Sequence, residues 1–233
     1  MNAPRRAGDQ AAAATWTGLH VIAGGASTEA VLAIAEAALE GGARIVQARM
    51  KGVPSRTLFL AASAVAEAVG RVPGARLVVN DRLDVALAVG AEAVHLGQDD
   101  LPPEAARAAI AATGRSLVYG LSTHDLAQAV AAEGAGATYI GFGPVFATGS
   151  KGDALPPRGI AELAAVCRAV QVPVIAIGGI TLENAANAVA AGAAGIAVIS
   201  AVAGAPDRVA AVREIVSLFE GKDPSARAAR RRP

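Results

Sequence analysis

The sequence predicts an α/β fold of the (β/α)8 TIM-barrel type in a single domain. Short apolar runs recur every 20 to 30 residues or so, and each is followed by a polar loop and an Ala-rich helical stretch. Their nearly continuous apolar character is typical of parallel strands that are covered by helices. Eight such runs are present, at 19–23, 44–48, 76–79, 93–96, 117–121, 138–142, 174–177 and 195–199.

The stretches between the runs have helical periodicity. Val31, Ile34, Ala35 and Ala38 follow the i, i+3, i+4, i+7 spacing of one helix face. The alternative of an open doubly wound sheet is disfavoured, because no Gly-x-Gly-x-x-Gly follows the first strand. Eight βα units in about 200 residues therefore favour a compact barrel.

The composition fits such a barrel and excludes several other classes. The chain has 233 residues, of which 60 are Ala and 26 Gly, and small residues let helices lie close to the strands. A hydrophobic content of 53% excludes a disordered chain. Cys167 is the single cysteine, which excludes a disulfide framework and a cysteine zinc site. Seven aromatic residues are too few for a base-stacking nucleic-acid binder.

Charge and composition predict three segments. Residues 1–18 are expected to form a mobile extension, 19–220 the barrel, and 221–233 a disordered basic tail with five basic residues and one acidic. Although the net charge is +1, residues 18–220 contain 18 acidic and 14 basic residues. Arg5 and Arg6 are not followed by the apolar segment of a signal peptide, so a cytoplasmic location without membrane attachment is expected.

Polar residues cluster just after the predicted strands, where a barrel enzyme has its active site. Arg49, Lys51 and Lys151 are three cations that we expect at one opening. The Arg fork suits phosphate oxygens, and Lys supplies a point charge. Ordinary surface charge is the alternative interpretation.

Asp81 and Asp100 are the candidate metal ligands. Oxygen ligands from two loops favour Mg2+ over zinc, and Mg2+ leaves positions for phosphate and water. The alternative for Asp99 and Asp100 is capping of the helix that begins near Pro102.

The glycines Gly178 and Gly179 follow strand seven, and Ser200 follows strand eight. These loops commonly bind phosphate through main-chain N–H groups. A second anion site implies two phosphorylated ligands or one long ligand.

Six segments, in the same order along the chain, resemble the thiamine-phosphate synthase family. The resemblance spans roughly residues 19–220. The segments are VQARMK at 46–51, NDRLD at 80–84, HLGQDD at 95–100, GLSTH at 120–124, GPVFATGSK at 143–151 and IGGI at 177–180.

The resemblance implies that a hydroxymethylpyrimidine diphosphate loses pyrophosphate to the attacking nitrogen of a thiazole phosphate, giving thiamine phosphate. It implies Mg2+ on Asp81 and Asp100, and catalytic cations at Arg49, Lys51 and Lys151. Residues that it implies for the pyrimidine diphosphate are Gln47, Ala48, Arg49, Met50, Lys51, Asn80, Ser122 and Lys151. Those implied for the thiazole phosphate are Thr148, Gly149, Ser150, Gly179, Ile199 and Ser200.

The sequence departs from the family pattern at three places. Ala48 stands where Leu is usual, which we expect to enlarge a layer of the barrel. Ser150 replaces Thr and keeps the hydroxyl. The first strand ends in Ala23-Gly24-Gly25 instead of the common Thr-Asp, which would alter a substrate contact or loop closure.

Competing functions remain. A related thiazole tautomerase would need a histidine where this chain has Pro144, and it lacks the acidic loop of Asp99 and Asp100. Another phosphate-binding barrel enzyme, a non-catalytic ligand-binding barrel and a polyanion-binding tail are the others. We expect small-molecule substrates and no nucleic-acid partner, and the sequence leaves the oligomeric state open, a homo-oligomer included.

Overall fold

Eight parallel strands close into a barrel in chain order, which confirms the predicted fold. The computed structural model describes residues 15–149 and 155–220. The strands are β1 Gly18–Gly24, β2 Ile45–Arg49, β3 Arg76–Asn80, β4 Ala93–Leu96, β5 Val118–Thr123, β6 Tyr139–Phe142, β7 Val174–Ile177 and β8 Gly195–Val198.

Helices cover the outside of the barrel. Those of the described residues are α1 Thr28–Glu40, α2 Ser55–Gly70, α3 Leu83–Val89, α4 Pro103–Ala112, α5 Leu126–Gly134, α6 Gly159–Ala169, α7 Ala185–Ala190, α8 Ser200–Ala203 and α9 Arg208–Ser217. Ser27, Asp125 and Asp207 cap three of them, since each side chain accepts a hydrogen bond from a main-chain N–H in the first turn. None of the described helices combines the length and apolar character that a bilayer crossing requires.

Alternation along the strands separates two apolar cores. In β2, Ile45 belongs to the inner core, whereas Val46 and Ala48 belong to the core between barrel and helices. The inner core is small, and it consists of Trp16, Ile22, Ile45, Val78, Ala93, Tyr139, Ile175 and Ala197. Side chains nearer the C-terminal end of the barrel are polar, so the barrel is packed below and open to ligands above.

Small residues bring the outer helices close together, as the composition predicted. Ala35 and Ala38 of α1 and Ala61 and Ala62 of α2 are fully buried in the outer core. At Gly41, a Cβ atom would lie 2.5 Å from Val212 of α9, closer than any side chain tolerates. Alanine and glycine therefore set the spacing of the helix layer.

The N-terminal end of the barrel is closed by Trp16, so the expected boundary at residue 19 is wrong. Trp16 is only 3% exposed, and its ring stacks on Tyr139 at a centroid distance of 5.5 Å. The Arg76 guanidinium lies 5.5 Å from the centre of the same ring. Residues 15–18 belong to the barrel because its interior must be filled at this end. The rest of the predicted extension, 1–14, and the predicted tail, 221–233, lie outside the described residues.

Candidate active site

A cavity of about 650 Å³ opens at the C-terminal ends of the strands. It lies at the face where (β/α)8 barrels carry their catalytic groups. Ten of the predicted site residues line it: Arg49, Lys51, Asn80, Asp81, Asp100, Ser122, Thr148, Gly179, Ile199 and Ser200. The structure therefore brings residues from seven different strand ends to one site.

Gln47 lies one level deeper. Its side chain is 5% exposed and lines a small cavity of about 30 Å³ below the main one. Arg49, Asn80 and Ser122 line both cavities. The small cavity is thus the floor of the main one.

Three predicted binding residues do not line either cavity. Ala48 and Met50 are buried in the outer core, because their neighbours Gln47, Arg49 and Lys51 occupy the cavity side of the chain. Side-chain binding by Ala48 and Met50 is therefore wrong, and the Ala at position 48 widens the outer layer and not the barrel interior. Gly149 does not contribute to the lining either. Ser150 and Lys151 lie outside the described residues.

An acidic pair and a lysine meet at the cavity mouth. Lys51 Nζ lies 3.2 Å from Asp81 Oδ2. Asp81 adopts a left-handed backbone conformation with φ of 64° directly after β3, and its N–H donates to His95 O. Such a φ is costly for a non-glycine residue and is concentrated at functional sites.

Asp100 faces the cavity and does not cap a helix. Its Oδ2 accepts a hydrogen bond from the Gly97 N–H at 2.6 Å, and no side chain caps α4. The capping interpretation of Asp99 and Asp100 is therefore wrong. Burial raises the pKa of Asp100, the neighbouring Asp81 carboxylate adds to that rise, and the Gly97 N–H opposes it.

The acidic pair fits a hard divalent cation. Two carboxylates share one edge of an open cavity, and a cation there would relieve the repulsion that raises the Asp100 pKa. Within the described ranges, no group of three or more His, Cys, Asp and Glu side chains is arranged to hold a metal. The donor set therefore suits Mg2+, which takes one or two carboxylates and completes its shell with water and phosphate.

Arg49 is half-buried at the end of β2. Burial lowers the pKa of its guanidinium, and the Asp81 carboxylate opposes that effect. Arginine stays charged in proteins, so the site holds a partly dehydrated cation with its fork directed into the cavity.

The loops after β6 and β7 are joined by close main-chain contact. The N–H groups of Val145 and Phe146 donate to the carbonyl oxygens of Ile177 and Gly178. A Cβ atom on Gly178 would lie 2.5 Å from Pro144, and one on Gly179 would lie 2.3 Å from the Ala147 oxygen. Both glycines also have positive φ, so this Gly-Gly pair is needed for loop packing as well as for the cavity wall.

Several site features were not predicted. His124 and Gln128 line the cavity, and the His124 Nδ1–H donates to Gly143 O at 2.6 Å. His124 appeared in the sequence only as the start of a helix, and Gln128 lies one turn into α5. His95, which was expected to point toward the pocket, places Nε2 2.9 Å from Ser122 Oγ. Tyr139 was missed, because an aromatic residue in a strand carries no signal of its contacts.

Comparison with known proteins agrees with the site. The family described as thiamine monophosphate synthase matches residues 19–202. A thiamine-phosphate synthase of Roseiflexus sp. (strain RS-1) is 48% identical over 82% of this chain and 79% of its own. One of Anaeromyxobacter dehalogenans is 48% identical over 87% and 88% of the two chains.

Solved structures agree as well. The thiamine phosphate pyrophosphorylase of Pyrococcus furiosus superposes with a TM-score of 0.80 at 36% identity, covering 89% of this chain and 97% of its own. A 3-hexulose-6-phosphate synthase, at 20% identity and a TM-score of 0.67, shares the fold alone. The family match and the relatives confirm the predicted resemblance and the predicted transferase class: the chain belongs to the thiamine monophosphate synthase family.

Proposed function

We propose that this chain condenses a hydroxymethylpyrimidine diphosphate with a thiazole phosphate, giving thiamine phosphate and pyrophosphate. The observation that carries the proposal is the arrangement of Arg49, Lys51, Asp81 and Asp100 around one cavity at the C-terminal face. Cations and carboxylates together suit a diphosphate that arrives with a divalent metal.

The reaction breaks one bond and forms another. The C–O bond between the pyrimidine methylene and the diphosphate breaks, and its electron pair leaves with the diphosphate oxygen. The electron-rich aminopyrimidine stabilises the methylene cation that remains. The lone pair of the thiazole nitrogen then forms the new C–N bond, so no protein nucleophile is required.

The chain's own cations lower the barrier to departure. Arg49 can hold two diphosphate oxygens with its fork, and Lys51 lies beside the acidic pair at the mouth. Charge that is fixed before the reaction stabilises the negative charge that develops on the leaving group. Lys151 completes this set in the proposal, as the resemblance implies.

Asp81 and Asp100 would hold Mg2+, which supplies further neutralisation of the diphosphate charge when bound. Lys51 is the counter-ion of Asp81 in the structure, and it lies 62% exposed. It can therefore turn from the carboxylate to a phosphate oxygen without leaving a buried charge unpaired.

The opposite wall would hold the thiazole phosphate. Thr148, Gly179, Ile199 and Ser200 line the cavity there, and the proposal keeps Gly149 and Ser150 through their main chain or hydroxyl. Separate anion sites on two walls fit two phosphorylated substrates, both of them small molecules.

The test is incubation of the purified full-length chain with both phosphorylated substrates and Mg2+, following pyrophosphate release and thiamine phosphate. Formation of both products in equal amounts is expected, with loss of turnover after chelation by EDTA. If neither product forms, the synthase proposal is overturned. A conversion of the thiazole phosphate alone, by proton transfer, would support the tautomerase alternative.

A further inference from the structure

A column of three side chains runs from the inner core to the cavity. Tyr139 is 1% exposed inside the barrel, and the His95 ring stacks on it with centroids 5.6 Å apart. His95 Nδ1 lies 3.3 Å from the Tyr139 hydroxyl, and Nε2 lies 2.9 Å from Ser122 Oγ. Ser122 is the member of the column that lines the main cavity.

Two glycines leave the space that the column occupies. A Cβ atom on Gly120 would lie 2.3 Å from the Tyr139 ring, and one on Gly141 would lie 3.2 Å from His95 Cε1. Any larger residue at Gly120 would displace Tyr139. The ring positions are therefore constrained by the barrel itself.

The buried hydroxyl group of Tyr139 determines which nitrogen of His95 carries the proton. Burial raises the pKa of Tyr139, so the phenol keeps its proton. Within the residues that the structure describes, His95 Nδ1 is its only hydrogen-bond acceptor. Because a buried donor needs an acceptor, Nδ1 accepts from Tyr139 and the proton of neutral His95 lies on Nε2.

The direction of the next hydrogen bond follows. Nε2–H donates to Ser122 Oγ, so the Ser122 hydroxyl cannot donate back to His95. Its own proton is then directed to another acceptor, and the cavity lies next to it. The same arrangement prevents His95 from removing the Ser122 proton, so this pair is not an activated nucleophile.

We infer that Tyr139 and His95 are positioning residues that hold the Ser122 hydroxyl as a hydrogen-bond donor toward an acceptor atom of the pyrimidine diphosphate. The substrate in this inference rests on the proposed function. The proton arrangement does not, since it follows from the free protein. No annotated group on the ligand side is needed to measure it.

The first experiment reads the His95 tautomer directly. Nitrogen NMR of the free, 15N-histidine-labelled full chain is expected to show His95 protonated on Nε2 and unprotonated on Nδ1, with the signal assigned by its loss in His95→Gln. Tyr139→Phe should shift the population toward the other tautomer. Tyr119→Phe is the matched control, because the Tyr119 hydroxyl donates to Ala135 O, away from Ser122. A wild-type His95 protonated on Nδ1 would overturn the inference.

The second experiment tests the action through Ser122. Tyr139→Phe should raise the KM for the pyrimidine diphosphate about 3- to 10-fold, the effect of one weakened hydrogen bond, and leave the KM for the thiazole phosphate unchanged. In the Ser122→Ala background, the same substitution should have almost no further effect. Equal effects in both backgrounds would show a merely structural role and overturn the inference.

His95→Gln gives a rescue arm. Its amide nitrogen can still donate to Ser122, so it should retain more activity than His95→Leu; equal losses in the two variants count against the inference. If the wild-type enzyme forms no product at all, the proposed function fails, while the NMR result still decides the proton arrangement.

Discussion

At the scale of single residues, the cavity mouth keeps opposite charges close to one another without burying them fully. Lys51 balances Asp81, and the half-buried Arg49 is influenced by the same carboxylate. Asp100 is left with the less favourable environment, since burial and Asp81 both raise its pKa. A group that is held in an unfavourable environment is expected where function and stability conflict.

Asp100→Asn should therefore separate stability from activity. The Asn oxygen can still accept from the Gly97 N–H, while the repulsion with Asp81 is removed. We expect a higher Tm in metal-free buffer and a loss of turnover of about 10²- to 10³-fold, as for one lost electrostatic group in other enzymes. Calorimetry and a pyrophosphate assay measure the two effects.

The matched control is Asp84→Asn. Asp84 pairs with Arg82 on an exposed surface of α3 and does not line the cavity, so turnover should stay unchanged. An Asp100→Asn enzyme with normal, Mg2+-dependent turnover would contradict the assignment of Asp100.

Arg49→Lys should impair the enzyme although the charge is kept. Lysine offers one point charge where the guanidinium offers a fork for two oxygens. Loss of one charged hydrogen bond predicts a fall in kcat/KM for the pyrimidine diphosphate of about 10-fold or more. Steady-state kinetics with each substrate varied in turn will show it.

Arg44→Lys is the control for that substitution. Arg44 is exposed at the opposite end of β2, where its guanidinium bonds the Ala43 oxygen. It should leave kcat/KM unchanged, and an equal fall in both variants would show that the effect of Arg49→Lys is not local to the site.

At the scale of the elements, sequence reasoning succeeded where a local pattern determines the structure. Eight apolar runs became eight strands, and their polar successors gathered at one face because parallel strands share a direction. It failed at Ala48 and Met50, since the resemblance supplied a continuous segment and a strand turns alternate residues away. It also missed Tyr139 and Gln128, whose contacts depend on distant strands and a helix turn.

The loops after β6 and β7 supply an element-scale prediction at Gly179. An alanine there would bring Cβ to 2.3 Å from the Ala147 oxygen in a backbone with φ of 64°. The β6 loop, which carries Thr148, must then move. We expect Gly179→Ala to lower the free energy of unfolding by about 1 kcal/mol or more and to raise the KM for the thiazole phosphate.

Gly134→Ala provides the comparison for this loop. Gly134 ends α5, has no atom within 4 Å of a built Cβ and needs no positive φ. Both properties should remain at wild-type values or improve slightly. Urea unfolding and kinetics measure both variants, and a harmless Gly179→Ala would refute the described loop packing.

At the scale of the whole molecule, the scarcity of aromatic residues gives the few present a large share of the barrel interior. Trp16 and Tyr139 stack at the closed end, and the buried His20 donates from Nε2 to the Trp16 oxygen at 2.9 Å. The predicted mobile extension failed for Trp16 because composition cannot show which end of a barrel a side chain closes. The many alanines build the outer layer, so the inner core is where a polar ring matters most.

His20 links this interior to pH. Burial lowers the pKa of His20 to about 4 from its usual 6.5, so it is neutral in the folded barrel. Between these values the unfolded chain binds a proton that the folded chain does not. The stabilising contribution is therefore complete above 6.5 and is lost as the pH falls through 6.5 toward 4.

We expect urea unfolding to show a decrease in stability of about 2 kcal/mol from this group between about pH 7 and about pH 5. His20→Gln keeps a donor for the Trp16 oxygen and removes the titration, so its stability, although lower at neutral pH, should depend less on pH. Measured side by side, the two chains share every other titrating group, and the difference between their slopes belongs to His20. Equal slopes would contradict a neutral, buried His20 and, with it, the sealed end of the barrel that Trp16 forms.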